Sequence, residues 1–173
     1  MLQLILGGAR SGKSRHAEKT AKSFACPVIY IATAEARDAE MQERIRHHQS
    51  QRPAEWNLVE APLDLVDQLL AHDHDNQVIL IDCLTLWLSN LLITEDVHFQ
   101  SQQCDRLVQI LPTLKSDVIM VSNETGLGVV PMGELSRRFV DESGRLHQRL
   151  GEVVDKVEFC VAGFAMCLKG EAS

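Results

Sequence analysis

Short apolar runs alternate along this chain with segments in which apolar residues recur every three or four positions. The runs predict strands at residues 2–6, 28–33, 57–60, 78–82, 117–122 and 157–162. The periodic segments predict helices near residues 13–25, 36–49, 63–72, 84–93, 99–114 and 133–153. Such an alternation is typical of an α/β fold with a mostly parallel sheet flanked by helices.

The last part of the chain adds two details to this pattern. Residues 163–168 predict an antiparallel edge strand, because Gly163 permits a tight reversal after the preceding strand. Gly144 and Gly151 interrupt the last helical segment and leave its continuity open. No repeat or linker divides the pattern, so we expect a single domain over residues 1–173.

Composition and charge exclude several classes of protein. With 173 residues, 45% hydrophobic and 24% charged, the chain has the composition of one ordinary globular domain. A net charge of −7 disfavours a broad nucleic-acid-binding surface, so we expect no nucleic-acid partner. The five cysteines are scattered and odd in number, which predicts free thiols rather than a disulfide framework or a zinc ribbon. No leader pattern and no apolar run of about 20 residues is present, so we expect a cytoplasmic protein without membrane insertion.

A glycine-rich phosphate-loop motif follows the first predicted strand and precedes the first helix. Its residues are Gly7, Gly8, Ala9, Arg10, Ser11, Gly12, Lys13 and Ser14. Glycines at both ends let backbone N–H groups turn inward towards phosphate oxygens, and the helix adds its positive N-terminal end. Lys13 is expected to neutralise the β- and γ-phosphates and to act in catalysis, while the Ser14 hydroxyl binds Mg²⁺. The motif predicts a P-loop NTPase domain, RecA-like in its sheet, that binds a nucleoside triphosphate with Mg²⁺.

An acidic residue, Asp82, ends the predicted strand 78–82, directly after four apolar residues. An ionised carboxylate there is costly unless it is paired or bound to a cation. Phosphate-loop proteins need such an acid in the Mg²⁺ shell, so Asp82 is predicted to bind the metal together with Ser14. The alternative is that Asp82 only caps the helix that follows.

Two further polar groups have open interpretations. Asn123 and Glu124 follow a late strand, at the sheet edge where open α/β proteins bind ligands, but both also suit a turn before Gly126. The chain has no Asn-Lys-x-Asp motif, which disfavours a GTPase switch. His72 and His74 could bind a metal, yet without a third ligand nearby a solvated turn is favoured.

A histidine pair lies in the helical segment before Pro53. At 100° per residue, Met41, Ile45 and His48 share one face, which is predicted to pack inward. His47 falls on the exposed flank beside Glu43. A neutral imidazole there could attack a phosphorus, although an ordinary surface histidine is the commoner case.

Taken together, several motifs resemble one enzyme family over almost the whole chain. They occupy residues 7–18, 30–33, 44–53 (Arg-Ile-Arg-His-His-Gln-Ser-Gln-Arg-Pro), 80–85, 90–92, 122–131 and 144–150. The set is similar to the bifunctional adenosylcobinamide kinase/adenosylcobinamide-phosphate guanylyltransferases of cobalamin biosynthesis. The Arg-His-His-x-x-x-Arg-Pro element is far more specific than the phosphate loop.

The resemblance implies two reactions. A nucleoside triphosphate phosphorylates the aminopropanol hydroxyl of adenosylcobinamide. GTP then guanylylates a histidine, which passes GMP to adenosylcobinamide phosphate. The family's nucleophile falls on His47, and its nucleotide site falls on residues 7–14, Thr33, Ala34, Glu35, Ser50, Gln51, Arg52, Pro53, Glu60 and Asp82. The resemblance also implies a homo-oligomer, with a trimer as the expected form and with the corrinoid near a subunit interface.

Some roles stay open at this point. Glu60 ends a strand and could pair with the guanine edge, or it could be an ordinary surface carboxylate. No residue stands out as the base for the cobinamide hydroxyl. Two other functions compete with the family assignment: a different small-molecule P-loop kinase in which His47 is incidental, and a nucleotide-binding regulator without transferase activity.

Overall fold

The structure is a computed structural model that describes residues 1–35, 43 and 53–171. The strands are β1 (Leu2–Gly7), β2 (Val28–Ala32), β3 (Asn57–Glu60), β4 (Val78–Asp82), β5 (Asp117–Asn123), β6 (Lys156–Val161) and β7 (Phe164–Lys169). The helices of the described ranges are α1 (Lys13–Ser23), α2 (Leu65–Ala71), α3 (Leu84–Ile93), α4 (Val97–Ile110) and α5 (Glu134–Val153). The helix predicted near 36–49 lies outside the described residues, apart from position 43.

These strands form one sheet in the order β3-β2-β4-β5-β1-β6-β7. Every neighbouring pair is parallel except β6 and β7, which form an antiparallel hairpin. The mostly parallel sheet and the antiparallel C-terminal edge strand predicted from the sequence are therefore confirmed. The phosphate-loop strand β1 lies inside the sheet, between β5 and β6, so its carboxyl end is flanked on both sides.

Apolar side chains cover both faces of the sheet. On one face α1 packs through Ala17 and Ala21 onto Tyr30, Leu80 and their neighbours. On the other face the four remaining described helices bury a larger core around Trp87, which is fully buried. Continuous Val/Ile/Leu runs are the pattern expected of strands that are covered on both sides.

Helix boundaries differ from the predictions where caps and packing intervene. The helix predicted from residue 99 begins at Val97, because the Asp96 carboxylate accepts a hydrogen bond from the N–H of Phe99. It ends at Ile110 and continues as a short 3₁₀ turn, Leu111–Thr113, that contains Pro112. Helix α5 runs unbroken through both of its glycines, since its buried face offsets the roughly 1 kcal/mol that each glycine costs.

The histidine-containing loop after α2 shows no sign of a metal site. The carboxylate of Asp73 accepts hydrogen bonds from the backbone N–H groups of Lys115 and Ser116, which ties this loop to the start of β5. Among the described residues, no three His, Cys, Asp or Glu side chains come together as metal ligands. All five cysteines are free. No helix in the described ranges is both long and apolar enough to cross a membrane.

Candidate functional site

The phosphate loop has the backbone shape that its sequence predicts. Gly12 caps α1 in a left-handed conformation with φ 93°, and Arg10 also has a positive φ of 56°. The N–H of Ser11 donates to the carbonyl of Gly8 at 3.2 Å, which closes the loop on itself. The first turn of α1 begins directly behind this curl, so its N-terminal N–H groups point into the same space.

Two of the loop glycines are required by close contacts. A Cβ on Gly7 would lie 2.5 Å from Oγ of Ser11 and 2.7 Å from the carbonyl of Cys160 on β6. A Cβ on Gly12 would lie 3.0 Å from Cα of Gly163 in the β6–β7 turn. The edge hairpin therefore packs directly against the phosphate loop.

Lys13 is largely buried, and its ammonium group lies across the loop. Its Nζ donates to the carbonyl of Gly8 at 3.1 Å. A buried ammonium needs a counter-charge, which a bound triphosphate supplies. Ser14, in the first turn of α1, is half-buried, while Ala9 and Arg10 at the tip of the loop are exposed.

Asp82 ends β4, which lies two strands away from β1 in the sheet. A strand spacing of about 4.8 Å puts these two strands about 10 Å apart. Its Oδ2 accepts a hydrogen bond of 2.9 Å from the hydroxyl of Tyr30. The N-cap of the next helix is Cys83, so the capping alternative for Asp82 finds no support.

The donor set fits magnesium. Mg²⁺ is held by one or two carboxylate or hydroxyl oxygens, and phosphates and water complete its shell. Ser14 and Asp82 supply two such oxygens at the carboxyl edge of the sheet.

Thr33 is fully buried, and its side chain joins two strand ends. Its hydroxyl donates to the carbonyl of Cys83 at 2.7 Å and accepts from the N–H of Cys83 at 3.0 Å. Asn90 on α3 donates to the carbonyl of Thr33 at 2.8 Å. Thr33 thus holds the end of β2 in place, just before Ala34 and Glu35. A contact between Thr33 and the nucleotide stays a prediction.

Glu60 is exposed at the end of β3, paired in register with Ala32. Four strand spacings, about 19 Å, separate β3 from β1. Near the start of β3, Trp56 stacks on Tyr30 with ring centroids 6.3 Å apart. The backbone N–H of Trp56 donates to the carbonyl of Pro53. The predicted nucleotide-binding residues are thus spread along one sheet edge rather than gathered at the phosphate loop.

Four predicted site residues lie outside the described residues. They are the proposed nucleophile His47 and the neighbouring Ser50, Gln51 and Arg52. Their roles remain predictions from the sequence.

The end of β5 carries a group of polar side chains that we call the β5 network, made of Thr85, Ser122, Glu124 and His147, of which Thr85, Ser122 and His147 are joined by hydrogen bonds. Nε2 of His147 lies 2.8 Å from Oγ of Ser122, which lies 3.2 Å from Oγ1 of Thr85. Oε2 of Glu124 lies 3.6 Å from Nδ1 of His147. The Glu124 N–H donates to the carbonyl of Gly7 at 3.1 Å, so the network adjoins the phosphate loop.

Burial sets the charge state of this network. It lowers the pKa of the His147 imidazole, and the carboxylate of Glu124 opposes that shift without cancelling it. The imidazole is therefore neutral near pH 7. The turn interpretation of Glu124 also holds, because its Oε1 accepts from the N–H of Gly126.

Sequence reasoning assigned no role to Thr85 or His147. Both are buried polar residues on helix faces otherwise occupied by apolar side chains, such as Leu146 and Leu150 beside His147. A polar residue at an inward position of an amphipathic helix is the signal that marks them.

Comparison with known proteins identifies the family. The model of the family described as cobinamide kinase / cobinamide phosphate guanyltransferase matches residues 3–168. The chain belongs to this family. It is 52% identical over 171 residues to the bifunctional adenosylcobalamin biosynthesis protein CobP of Pseudomonas aeruginosa, with 99% of each chain covered. It is 37% identical to the protein CobU of the same description from Salmonella typhimurium, with 98% of this chain and 100% of the relative covered.

Solved structures share the fold alone. The RadB recombinase superposes with a TM-score of 0.55 at 16% identity, covering 91% of this chain and 73% of that chain. A Pyrococcus horikoshii protein, PH0250, superposes with a TM-score of 0.57 at 9% identity, covering 99% and 87%. The RecA-like fold predicted from the sequence is confirmed.

Family membership confirms the function expected from the resemblance. The chain is a bifunctional transferase of cobalamin biosynthesis, with cobinamide kinase and cobinamide phosphate guanylyltransferase activities. The two competing hypotheses, an unrelated small-molecule kinase and a regulator without transferase activity, are thereby set aside.

Proposed function

We propose that this protein phosphorylates adenosylcobinamide with ATP or GTP, and then transfers GMP from GTP to adenosylcobinamide phosphate through a guanylyl-histidine at His47. The observation that carries the proposal is the phosphate loop, with the buried ammonium of Lys13 lying across it. Loop N–H groups and Lys13 hold the phosphates in both reactions.

Magnesium joins this site through Ser14 and Asp82. The bound cation supplies charge neutralisation on the phosphates. The hydroxyl of Tyr30 holds one oxygen of Asp82, which keeps the carboxylate in a defined orientation at the sheet edge. Ser14 stands in the first turn of α1, next to Lys13, so the residues that hold metal and phosphate are adjacent in the chain.

The same loop serves two different purposes. In the kinase reaction it holds the γ-phosphoryl group that is transferred. In the guanylyl transfer, a ring nitrogen of His47 attacks the α-phosphorus while the bond to the bridging oxygen breaks, and the loop holds the departing pyrophosphate. The GMP then passes to the phosphate of the acceptor, and His47 is regenerated.

Guanine selection is assigned to Glu60. A carboxylate accepts hydrogen bonds from guanine N1–H and N2–H, which adenine lacks in that arrangement. Glu60 is exposed beside Ala32, at the sheet edge that continues into Thr33, Ala34 and Glu35. Its separation from β1 of about 19 Å suits a contact with the base rather than with the phosphates.

Labelling with α-³²P-GTP and Mg²⁺ tests the covalent step. We expect label on the protein that is labile to acid and stable to alkali, absent in His47→Ala and present in the control His48→Ala. Wild-type protein that takes up no label overturns the guanylyl-histidine. The kinase step is tested separately with adenosylcobinamide and either ATP or GTP, and absence of phosphorylated product with both nucleotides overturns it.

We also propose a cytoplasmic homo-oligomer, with a trimer as the expected assembly. Exposed apolar side chains of the edge strand β7 support association, since Phe164 is 79%, Met166 is 56% and Leu168 is 58% exposed. Free cysteines suit a reducing compartment, and the net charge of −7 suits a protein without a nucleic-acid partner. Sedimentation that yields only a 19.3 kDa species contradicts the oligomer.

A further inference from the structure

Unpartnered polar atoms gather where β1 and β5 end. In the described ranges, four buried side-chain atoms have no hydrogen-bond partner, and three of them are Oγ of Ser11, Oδ1 of Asn123 and Nδ1 of His147. Ser11 belongs to the phosphate loop, Asn123 is paired in register with Gly7, and His147 faces the same strand ends. Buried polar groups in native proteins are normally satisfied, so the free Oγ of Ser11 and Oδ1 of Asn123 point to a bound reactant that completes them, whereas Nδ1 of His147 lies 3.6 Å from Oε2 of Glu124.

Glu124 is a carboxylate beside these atoms, since its Oε2 lies 3.6 Å from Nδ1 of His147. Its backbone is joined to Gly7, which places it one strand from the phosphate loop. Its Oε1 is held by the N–H of Gly126, and its side chain is 21% exposed. The carboxylate thus has a fixed orientation and remains open to a ligand.

The β5 network orients this carboxylate. Thr85 accepts the N–H of Asn123 at 2.6 Å, so its hydroxyl proton can point to Ser122, and the hydroxyl of Ser122 can donate to Nε2 of His147. A neutral imidazole then carries its proton on Nδ1, facing Glu124. Serine, histidine and glutamate also make up hydrolase triads, but Ser122 is 1% exposed and cannot reach a substrate.

The segment after Glu124 suits an acceptor with a large apolar surface. Its exposed apolar residues are Leu127, Val129, Val130, Met132 and Leu135. Pro131 and Leu135 also line a cavity of about 290 Å³ against α3 and α5. An alcohol borne on a bulky, partly apolar molecule can lie on this segment while its hydroxyl reaches Glu124.

We propose that Glu124 is the general base of the phosphoryl transfer and that His147 is its positioning residue. The acceptor oxygen attacks the γ-phosphorus and its proton passes to the Glu124 carboxylate. As the new oxygen–phosphorus bond forms, the bond between the γ-phosphorus and the bridging oxygen breaks, and its electron pair leaves with the nucleoside diphosphate. The proton on Glu124 returns to water. This assignment rests on the proposed function.

Glu124→Gln tests the base directly, since it keeps the shape and removes the basicity. We expect the kinase kcat to fall about 10²- to 10⁴-fold, with the KM for ATP within about threefold of wild type. Guanylylation of the protein by GTP involves no acceptor hydroxyl, so labelling persists and reports an intact nucleotide site. Glu152→Gln makes the same charge change on an exposed position of α5 and is expected to leave both activities unaltered.

His147→Gln tests the positioning role. It is expected to lower the kinase kcat less than Glu124→Gln does, and the double variant is expected to be no slower than Glu124→Gln alone, because both act on one step. A Glu124→Gln protein with kinase kcat within about threefold of wild type overturns the assignment. So does a parallel loss of protein labelling, which would place Glu124 in nucleotide binding instead.

These outcomes separate the base from the proposed function. Wild-type protein that forms no phosphorylated acceptor overturns the kinase proposal itself. Wild-type protein that is active, beside an active Glu124→Gln variant, overturns the base alone.

Discussion

The backbone N–H of Gly163 donates a hydrogen bond of 2.9 Å to the carbonyl of Ser11, so the turn of the edge hairpin braces the phosphate loop. Gly163 itself has a φ of 86°, and the close approach of its Cα to Gly12 leaves no room for a side chain at residue 12. The C-terminal hairpin therefore supports the phosphate loop, although it follows the loop by about 150 residues.

Gly12→Ala is expected to weaken ATP binding at least about tenfold. A left-handed conformation costs a non-glycine residue about 1–2 kcal/mol, and the new Cβ would press on Gly163 at 3.0 Å. Titration calorimetry with ATP and Mg²⁺ measures the effect. Gly128→Ala is the matched control, since a Cβ there meets nothing within 4 Å, and equal affinities in the two variants contradict the bracing of the loop.

Tyr30→Phe is expected to raise the Mg²⁺ concentration needed for nucleotide binding by about tenfold, because it removes the donor that orients Asp82. The ring remains to stack on Trp56, so thermal stability serves as the control for folding. The measurement is ATP affinity as a function of Mg²⁺. An unchanged Mg²⁺ dependence in Tyr30→Phe, beside a clear loss in Asp82→Asn, removes Tyr30 from the metal site.

The contacts of the Glu158 carboxylate predict that the protein loses stability in acid. Burial alone raises its pKa, but hydrogen bonds from His16 at 2.6 Å and Lys156 at 2.9 Å outweigh burial, and the net pKa is lowered from 4.5. A lowered pKa in the folded state stabilises the protein above the unfolded value, and this contribution disappears as the pH falls below about 4.5.

Glu158→Gln is accordingly expected to cost roughly 1–3 kcal/mol at pH 7 and much less at low pH. Urea denaturation at pH 7 and at a series of pH values below 4.5 gives the free energies of unfolding. A difference between variant and wild type that stays constant with pH contradicts the ionised role of Glu158.

Gly151→Ala is expected to increase the free energy of unfolding by about 0.5–1 kcal/mol. The glycine lies inside α5, and a Cβ there meets nothing within 4 Å, so alanine gains helix propensity without a clash. Thermal denaturation of the two proteins measures the change. Destabilisation by this substitution would indicate that α5 contacts another subunit at Gly151.

The strands and the phosphate loop follow from local patterns in the sequence. Apolar runs specify strands that are buried on both faces, and the glycine spacing specifies a backbone curl that only glycine permits. Helix ends were less predictable. The start of α4 at Val97 depends on a cap from Asp96, and the continuity of α5 depends on packing that compensates for Gly144 and Gly151.

Sequence alone identified the phosphate loop, the acid at the end of β4 and the family to which the chain belongs. Those features are short runs of adjacent residues whose physical roles are local. Only the tertiary structure brought His147 to Ser122, Glu124 to Gly7 and Gly163 to Ser11. The reason is that the two residues of each contact are far apart in the chain. They meet only because of the order of the strands in the sheet, which no local pattern encodes.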